Sequence, residues 1–187
     1  MRYAYVLWFC FLLFLGFPRN IFHKPSIQVN ADLGLIQKTC RFTNNYDLCV
    51  SILESNSSSF NTDTKGLAIV IASAGIANAT ATSTYLSSRL LNSNGEAIPK
   101  KVIRECVDKY KYAGGALEAS TQDLAMESYD YASMHVMAAA EYPSACHNAF
   151  RRYSGLAYPV EIQRREDGLK QICDVVLGII DLLFSES

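Results

Sequence analysis

The sequence predicts an all-α fold, an up-down-up-down bundle of four long helices, and three observations predict it. Apolar residues recur at helical spacing, most strictly at Leu169, Ile172, Val176, Ile179 and Leu183, which step by 3, 4, 3 and 4. No segment alternates convincingly with period two, and no run has the β-branched density of a strand. Cys106 and Cys146 fall at matched heights on two neighbouring helical runs, one over Pro99 to Ala125 and the next opening near Ser128. At the helical rise, both sulfurs lie roughly 27–28 Å from the connecting turn. An antiparallel helical hairpin therefore brings them level, within reach of a disulfide.

Taken in order, the chain opens with Arg2 and an uncharged apolar run from Tyr3 to Phe17, closed by Pro18 and Arg19. The run is shorter than the ~18 apolar residues of a membrane span and has the length and flanks of a signal-peptide core. An uncleaved anchor is the competing reading. Val29, Asn30 and Ala31 offer small residues for a peptidase, which puts the signal peptide at residues 1–31 and the mature start at Asp32. Residues 32–187 are then one domain of about 156 residues, enough for a sizeable core. Cleavage removes Arg2, Arg19 and Lys24 and no acid, leaving 14 basic against 18 acidic side chains, a net charge of −4. That balance excludes a nucleic-acid partner, because no basic stripe is left to neutralise phosphates, and no membrane contact is expected after cleavage.

Cys10 leaves with the signal peptide, and Cys40, Cys49, Cys106, Cys146 and Cys173 remain in an oxidising compartment. Cys40 and Cys49 close a small loop whose Asn44-Asn45 tip is turn chemistry. Closing the short and the long loop is worth roughly 2.5 and roughly 4 kcal/mol on chain-entropy grounds. Cys173 is left as a free thiol. A structural zinc site competes for the cysteines, but there is no Cys-x-x-Cys pair and no histidine cluster, so no metal is expected.

Asn56 through Asp63 reads as a loop, followed by a helix over about Thr64 to Leu91. Its expected inward stripe is Leu67, Val70, Ala74, Ala77, Ala81 and Leu91, with alanines allowing close approach of a neighbour. Asn92 to Gly95 ends this helix, Gly95 being suited to a left-handed cap. Pro99 fits the first turn of the next, whose stripe is Ile103, Cys106, Tyr110, Ala113, Leu117 and Leu124, interrupted by Ser120. The third bundle helix presents Ala132, Val136, Ala139, Cys146, Phe150 and Tyr153, and Pro143 should kink or break it. Ser154, Gly155 and Pro159 mark the turn into the last helix.

Catalysis needs a constellation, and none is present. His135 lies one position off the apolar stripe and reads as a partly buried helix residue, while His147 is expected to face solvent. Cys173 sits in an apolar helix without an adjacent base, where burial blunts a thiol. Asp123, Glu127 and Asp130 cluster near a helix end and the next beginning, where Asp130 complements the helix dipole. No nucleophile elbow, phosphate loop or dinucleotide fingerprint occurs, so neither enzyme activity nor a cofactor is expected. Asn56 and Asn78 head glycosylation sequons; Asn56 is the better acceptor because Asn78 lies mid-helix. Function then rests on an exposed face. Tyr129, Asp130 and Tyr131, at the turn between the second and third bundle helices, either anchor a partner or cap the end of the core.

These residues resemble the plant invertase and pectin methylesterase inhibitor family. The resemblance is carried by Thr39-Cys40 with Tyr46 to Cys49, by Cys106, and by Tyr131-Ala132, Val136, Ala138-Ala139, Cys146 and Phe150, with a free cysteine in the last helix. It implies a short N-terminal helical hairpin ahead of the bundle, with disulfides Cys40–Cys49 and Cys106–Cys146. It also implies a secreted inhibitor that covers the active-site cleft of a carbohydrate-active enzyme, an acid invertase or pectin methylesterase of the cell wall or vacuole, in a one-to-one complex. The Pro-Lys-Phe tripeptide of the family's invertase inhibitors falls on Tyr129-Asp130-Tyr131, where only the third, aromatic position is kept. The pectin methylesterase inhibitors use a face of the second and third bundle helices, where Lys109, Tyr112, Glu118 and Gln122 are the candidates. A different class of reading is a carrier of a small apolar ligand, which requires a cavity of ~300 Å³ or more.

Overall fold

In the computed structural model, which describes residues 26–92 and 97–186, six helices account for most of the described residues. They are α1 (Ser26–Cys40), α2 (Tyr46–Glu54), α3 (Thr64–Asn92), α4 (Ala97–Ala125), α5 (Tyr129–Arg151) and α6 (Val160–Glu186), with one 3-10 turn at Ser57–Asn61. Local chemistry sets the starts. Asn45 Oδ1 accepts from the Leu48 amide at 3.2 Å to cap α2, and Asn56 Oδ1 accepts from Ser58 to cap the 3-10 turn. Asp63 Oδ1 accepts from the Gly66 amide at 2.8 Å at the head of α3. Each cap satisfies a donor that the first helical turn leaves orphaned.

Helices α3 to α6 form the bundle, each packing on the next and α6 closing back on α3. Every residue of the 3-4-3-4 seam on α6 is buried, as are Cys106, Tyr110, Ala113, Leu117 and Leu124 of α4 and Ala132, Val136, Ala139, Cys146 and Phe150 of α5. Ile103 and Tyr153 are half-buried at the margins. The disulfide Cys106–Cys146 ties α4 to α5 with a Cα–Cα distance of 4.7 Å, and Cys40–Cys49 joins α1 to α2. The α1–α2 hairpin caps one end of the bundle. There a Cβ on Gly178 of α6 would lie 3.0 Å from the Phe42 carbonyl oxygen and the Thr43 Cα, so only a glycine lets the hairpin backbone sit this close.

Three expectations need correction. On α3, Leu67 and Val70 of the expected stripe are buried, but Ala77 and Ala81 are exposed and Ala74 is half-buried; the rest of the inward face is Ala68, Ile71, Ala72, Gly75, Ala79, Thr82, Ser83 and Leu86. This helix is small or apolar nearly all round, so its sequence does not mark a side. Pro143 does not break α5, which runs through it to Arg151; the proline is buried in the core. His147 is not fully turned to solvent, because its ring stacks on Tyr158 at 4.2 Å between centroids. The expected signal peptide lies mostly in residues outside the described range, and its last six positions belong to α1. The Gly95 cap also lies outside the described residues.

Candidate binding face

Glu105, Tyr112 and Asp123 lie 7 and 11 residues apart, on one line of α4. Each meets α5. Arg152 donates to Glu105, the Tyr112 and Tyr142 rings lie 5.7 Å apart, and His135 Nδ1 sits 2.7 Å from Asp123 Oδ2. Between these contacts the seam is floored by half-buried Ala116 and Ala119 of α4 and Ala138 of α5. Small floor residues flanked by tyrosines and a histidine make a shallow strip. Exposed Met126 and Met134, 67% and 60% accessible, extend it at the end where the two helices meet.

That end is the turn built by Glu127, whose φ of 59° puts a non-glycine residue in the left-handed region. Glu127 is held by Lys65 of α3, 2.9 Å away. The turn separates the two tyrosines that the sequence left equivalent. Tyr129 is half-buried and meets the Phe184 ring of α6 edge-on at 5.7 Å. Tyr131 is 63% exposed and Asp130 is exposed beside it. Glu127, Ser128, Tyr129, Asp130, Tyr131 and Phe184 line an open groove of about 400 Å³. Tyr129 therefore closes the core, and Tyr131 is free to reach a partner.

The four helix-face candidates do not share one side. Lys109 is half-buried with its ammonium 5.8 Å over the exposed Tyr112 ring, on the α5 flank. Glu118 lies nine residues on, about 180° away around the helix, and Gln122 follows it on that far flank. Both are exposed, about 120° and 80° around the helix from Tyr112 on its outward side. The three exposed methionines Met126, Met134 and Met137 were missed by sequence reasoning; their place beside the seam follows only once α4 and α5 are paired.

A buried polar cluster and the free thiol lie away from this face, on α6 and the loop before it. Glu166 of α6 is 4% exposed, accepts from Tyr158 Oη at 2.9 Å and from Lys170 Nζ at 2.6 Å, and lies 3.6 Å from His147 Nδ1. Burial pushes the Tyr158 hydroxyl well above the usual phenol range. Burial likewise pushes the Cys173 thiol up to about 12, so it is not a nucleophile at physiological pH. The Asn78 Oδ1 is buried and its amide nitrogen packs 3.6 Å from a Cβ position on Gly168, whereas Asn56 is in the loop.

Together these features define a disulfide-braced helical bundle with an exposed seam and tip between two of its helices. The chain belongs to the plant invertase/pectin methylesterase inhibitor family, whose pattern matches residues 34–179. It is 50% identical over 149 residues to cell wall / vacuolar inhibitor of fructosidase 2 of Arabidopsis thaliana, covering 80% of this chain and 83% of that one. It is 37% identical over 170 residues to pectinesterase inhibitor 28 of Oryza sativa subsp. japonica, covering 87% and 75%. Among solved structures it resembles a mutant form of a pectin methylesterase inhibitor from Arabidopsis, at a TM-score of 0.63 and 25% identity, covering 79% of this chain and 95% of that one.

Proposed function

We propose that the chain is a secreted protein inhibitor that blocks an acid invertase, a fructosidase of the plant cell wall or vacuole, by forming a one-to-one complex over its active-site cleft. Pectin methylesterase is the second target. The carrying observation is the exposed Tyr131 at the α4–α5 tip, next to a rigid seam, in a chain 50% identical to a named fructosidase inhibitor against 37% for a pectinesterase inhibitor. An aromatic at a loop tip brings large contact area at small entropic cost, which suits insertion into a sugar-binding cleft. Residues 1–31 act as the signal peptide, and Asn56 is the glycosylated position. The test is a titration of purified acid invertase and pectin methylesterase with the oxidised protein at acidic pH. Invertase activity should fall linearly to an equivalence point at one inhibitor per enzyme. If neither enzyme loses activity in excess inhibitor, the reading fails; if only the esterase does, the target is the second one.

A further inference from the structure

The charge of this chain is divided between its ends. Residues 85–105 and 150–165 hold eight lysines and arginines against Glu96, Glu105 and Glu161, a net charge of +5. The chain from Asp32 onward carries −4, so everything else sums to −9. Those two segments comprise the end of α3, the start of α4, the end of α5 and the start of α6. The antiparallel topology gathers the described parts of these segments at one pole, opposite the pole capped by the α1–α2 hairpin.

An apolar cavity of about 460 Å³ opens at this pole, lined by Leu86, Ile103, Phe150, Leu156 and Ile162 among others. That volume lies within the ~300–1,000 Å³ of small-molecule sites. Tyr85 and Arg89 stand at its wall, and the Tyr85 ring carries two guanidinium groups. Arg89 is centred 5.2 Å and Arg165 4.4 Å from the ring centroid. Arg165 and Arg164 share the single carboxylate of Glu161, at 3.0 and 2.9 Å. Among the described residues Arg89 donates only to the Tyr85 hydroxyl, at 3.2 and 3.1 Å, and pairs with no acid. Two guanidinium groups thus flank one aromatic ring, and the one nearby carboxylate, Glu161, is shared between Arg165 and Arg164, leaving Arg89 without an acid beside an apolar hollow. An anionic head group relieves that excess, and an apolar body fills the hollow.

We propose that this pole binds a small amphipathic carboxylate, its hydrocarbon body in the cavity and its head group on Arg89. A polyuronate would use the cations and leave the cavity unfilled; an uncharged apolar molecule would fill the cavity and ignore the cations. Only a ligand with both parts uses everything the pole offers. Ile103 lies about 33 Å along α4 from Ala125, so the site stands apart from the Tyr131 face and does not rest on the inhibitor reading.

Calorimetric titration of the full, disulfide-intact secreted protein with decanoate, below its micelle concentration, tests this directly. Saturable binding of one decanoate is expected, weakened about tenfold by R89Q, the scale of one charge-assisted hydrogen bond. Decanol should bind wild type and R89Q equally, because it lacks the charge. Arg89 is exposed, so the substitution does not threaten the fold, and thermal melts of the two proteins should coincide. The proposal is overturned if wild type shows no saturable decanoate binding, or if R89Q weakens decanol and decanoate alike. It is equally overturned if an oligogalacturonate displaces decanoate and binds more tightly, since the pole would then be a polyanion surface. Saturating decanoate should leave inhibition of the target enzyme unchanged, so failure here is separable from failure of the proposed inhibitory function.

Discussion

Removing the Cys106–Cys146 bond should cost more than removing Cys40–Cys49, by an amount the sequence separations set. The two bonds span 40 and 9 residues. The chain-entropy relation gives about 4 kcal/mol for the longer and about 2.6 kcal/mol for the shorter at 25 °C. All four sulfurs are fully buried, so alanine replacements would add a packing loss to the entropic one. Cysteine-to-serine pairs would bury hydroxyls and confuse it further. The cleaner comparison pairs each double alanine variant with the reduced wild type, which keeps the sulfur volume. Urea unfolding followed by far-UV circular dichroism reads the difference, with the slope checked for a constant extent of unfolding. For a domain of this size, each kcal/mol moves the melting temperature by about 2–4 °C, so loss of the longer bond should lower it by about 8–16 °C. If the shorter bond proves the costlier, or the longer one contributes under about 1 kcal/mol, the brace between α4 and α5 does not hold the bundle as argued.

Other outcomes follow from the same geometry. Replacing Tyr131 with alanine should weaken inhibition at least tenfold with an unchanged melting temperature, whereas Y129A should lower the melting temperature because that ring packs on Phe184; equal inhibition by Y131A would move the contact to the Tyr112 flank. Glu166→Ala should destabilise by about 2–3 kcal/mol, below the full cost of breaking a buried pair because Lys170 and His147 reach solvent, and K170A should cost under about 1 kcal/mol. Cys173 should resist iodoacetamide at pH 8 in the native protein and react with one equivalent in urea; rapid native alkylation would contradict its burial. The unfolded thiol ionises from about 9 while the folded one stays protonated to about 12, so its contribution to stability falls as pH rises through that window.

Sequence pattern was a sound guide where a helix has two unlike sides. The α6 seam, and the stripes of α4 and α5, emerged from spacing alone because polar residues mark their outer faces. Helix α3 defeated the same reasoning: alanine, serine, threonine and glycine occupy both its sides, and which alanine turns inward is decided by Leu117 and Ile172 packing toward Gly75. The binding face was half legible. Tyr131 and Tyr129 are two residues apart and opposite in role, a split set by Phe184 from the far end of the chain. Likewise His147 is covered by Tyr158, beyond a loop whose path no local periodicity records. The separation of Glu118 from Lys109 needed only helical geometry, and counting 100° per residue would have found it.

Helices α4 and α5 are joined at one end by the Glu127 turn and near the other by Cys106–Cys146, so their backbones form a closed covalent ring. Neither helix can ratchet one turn, about 5.4 Å, past the other without breaking a bond, a motion many switching proteins exploit. Whatever docks here meets a fixed shape and must do the adjusting itself. Selectivity among targets is then written in their loops as much as in this chain.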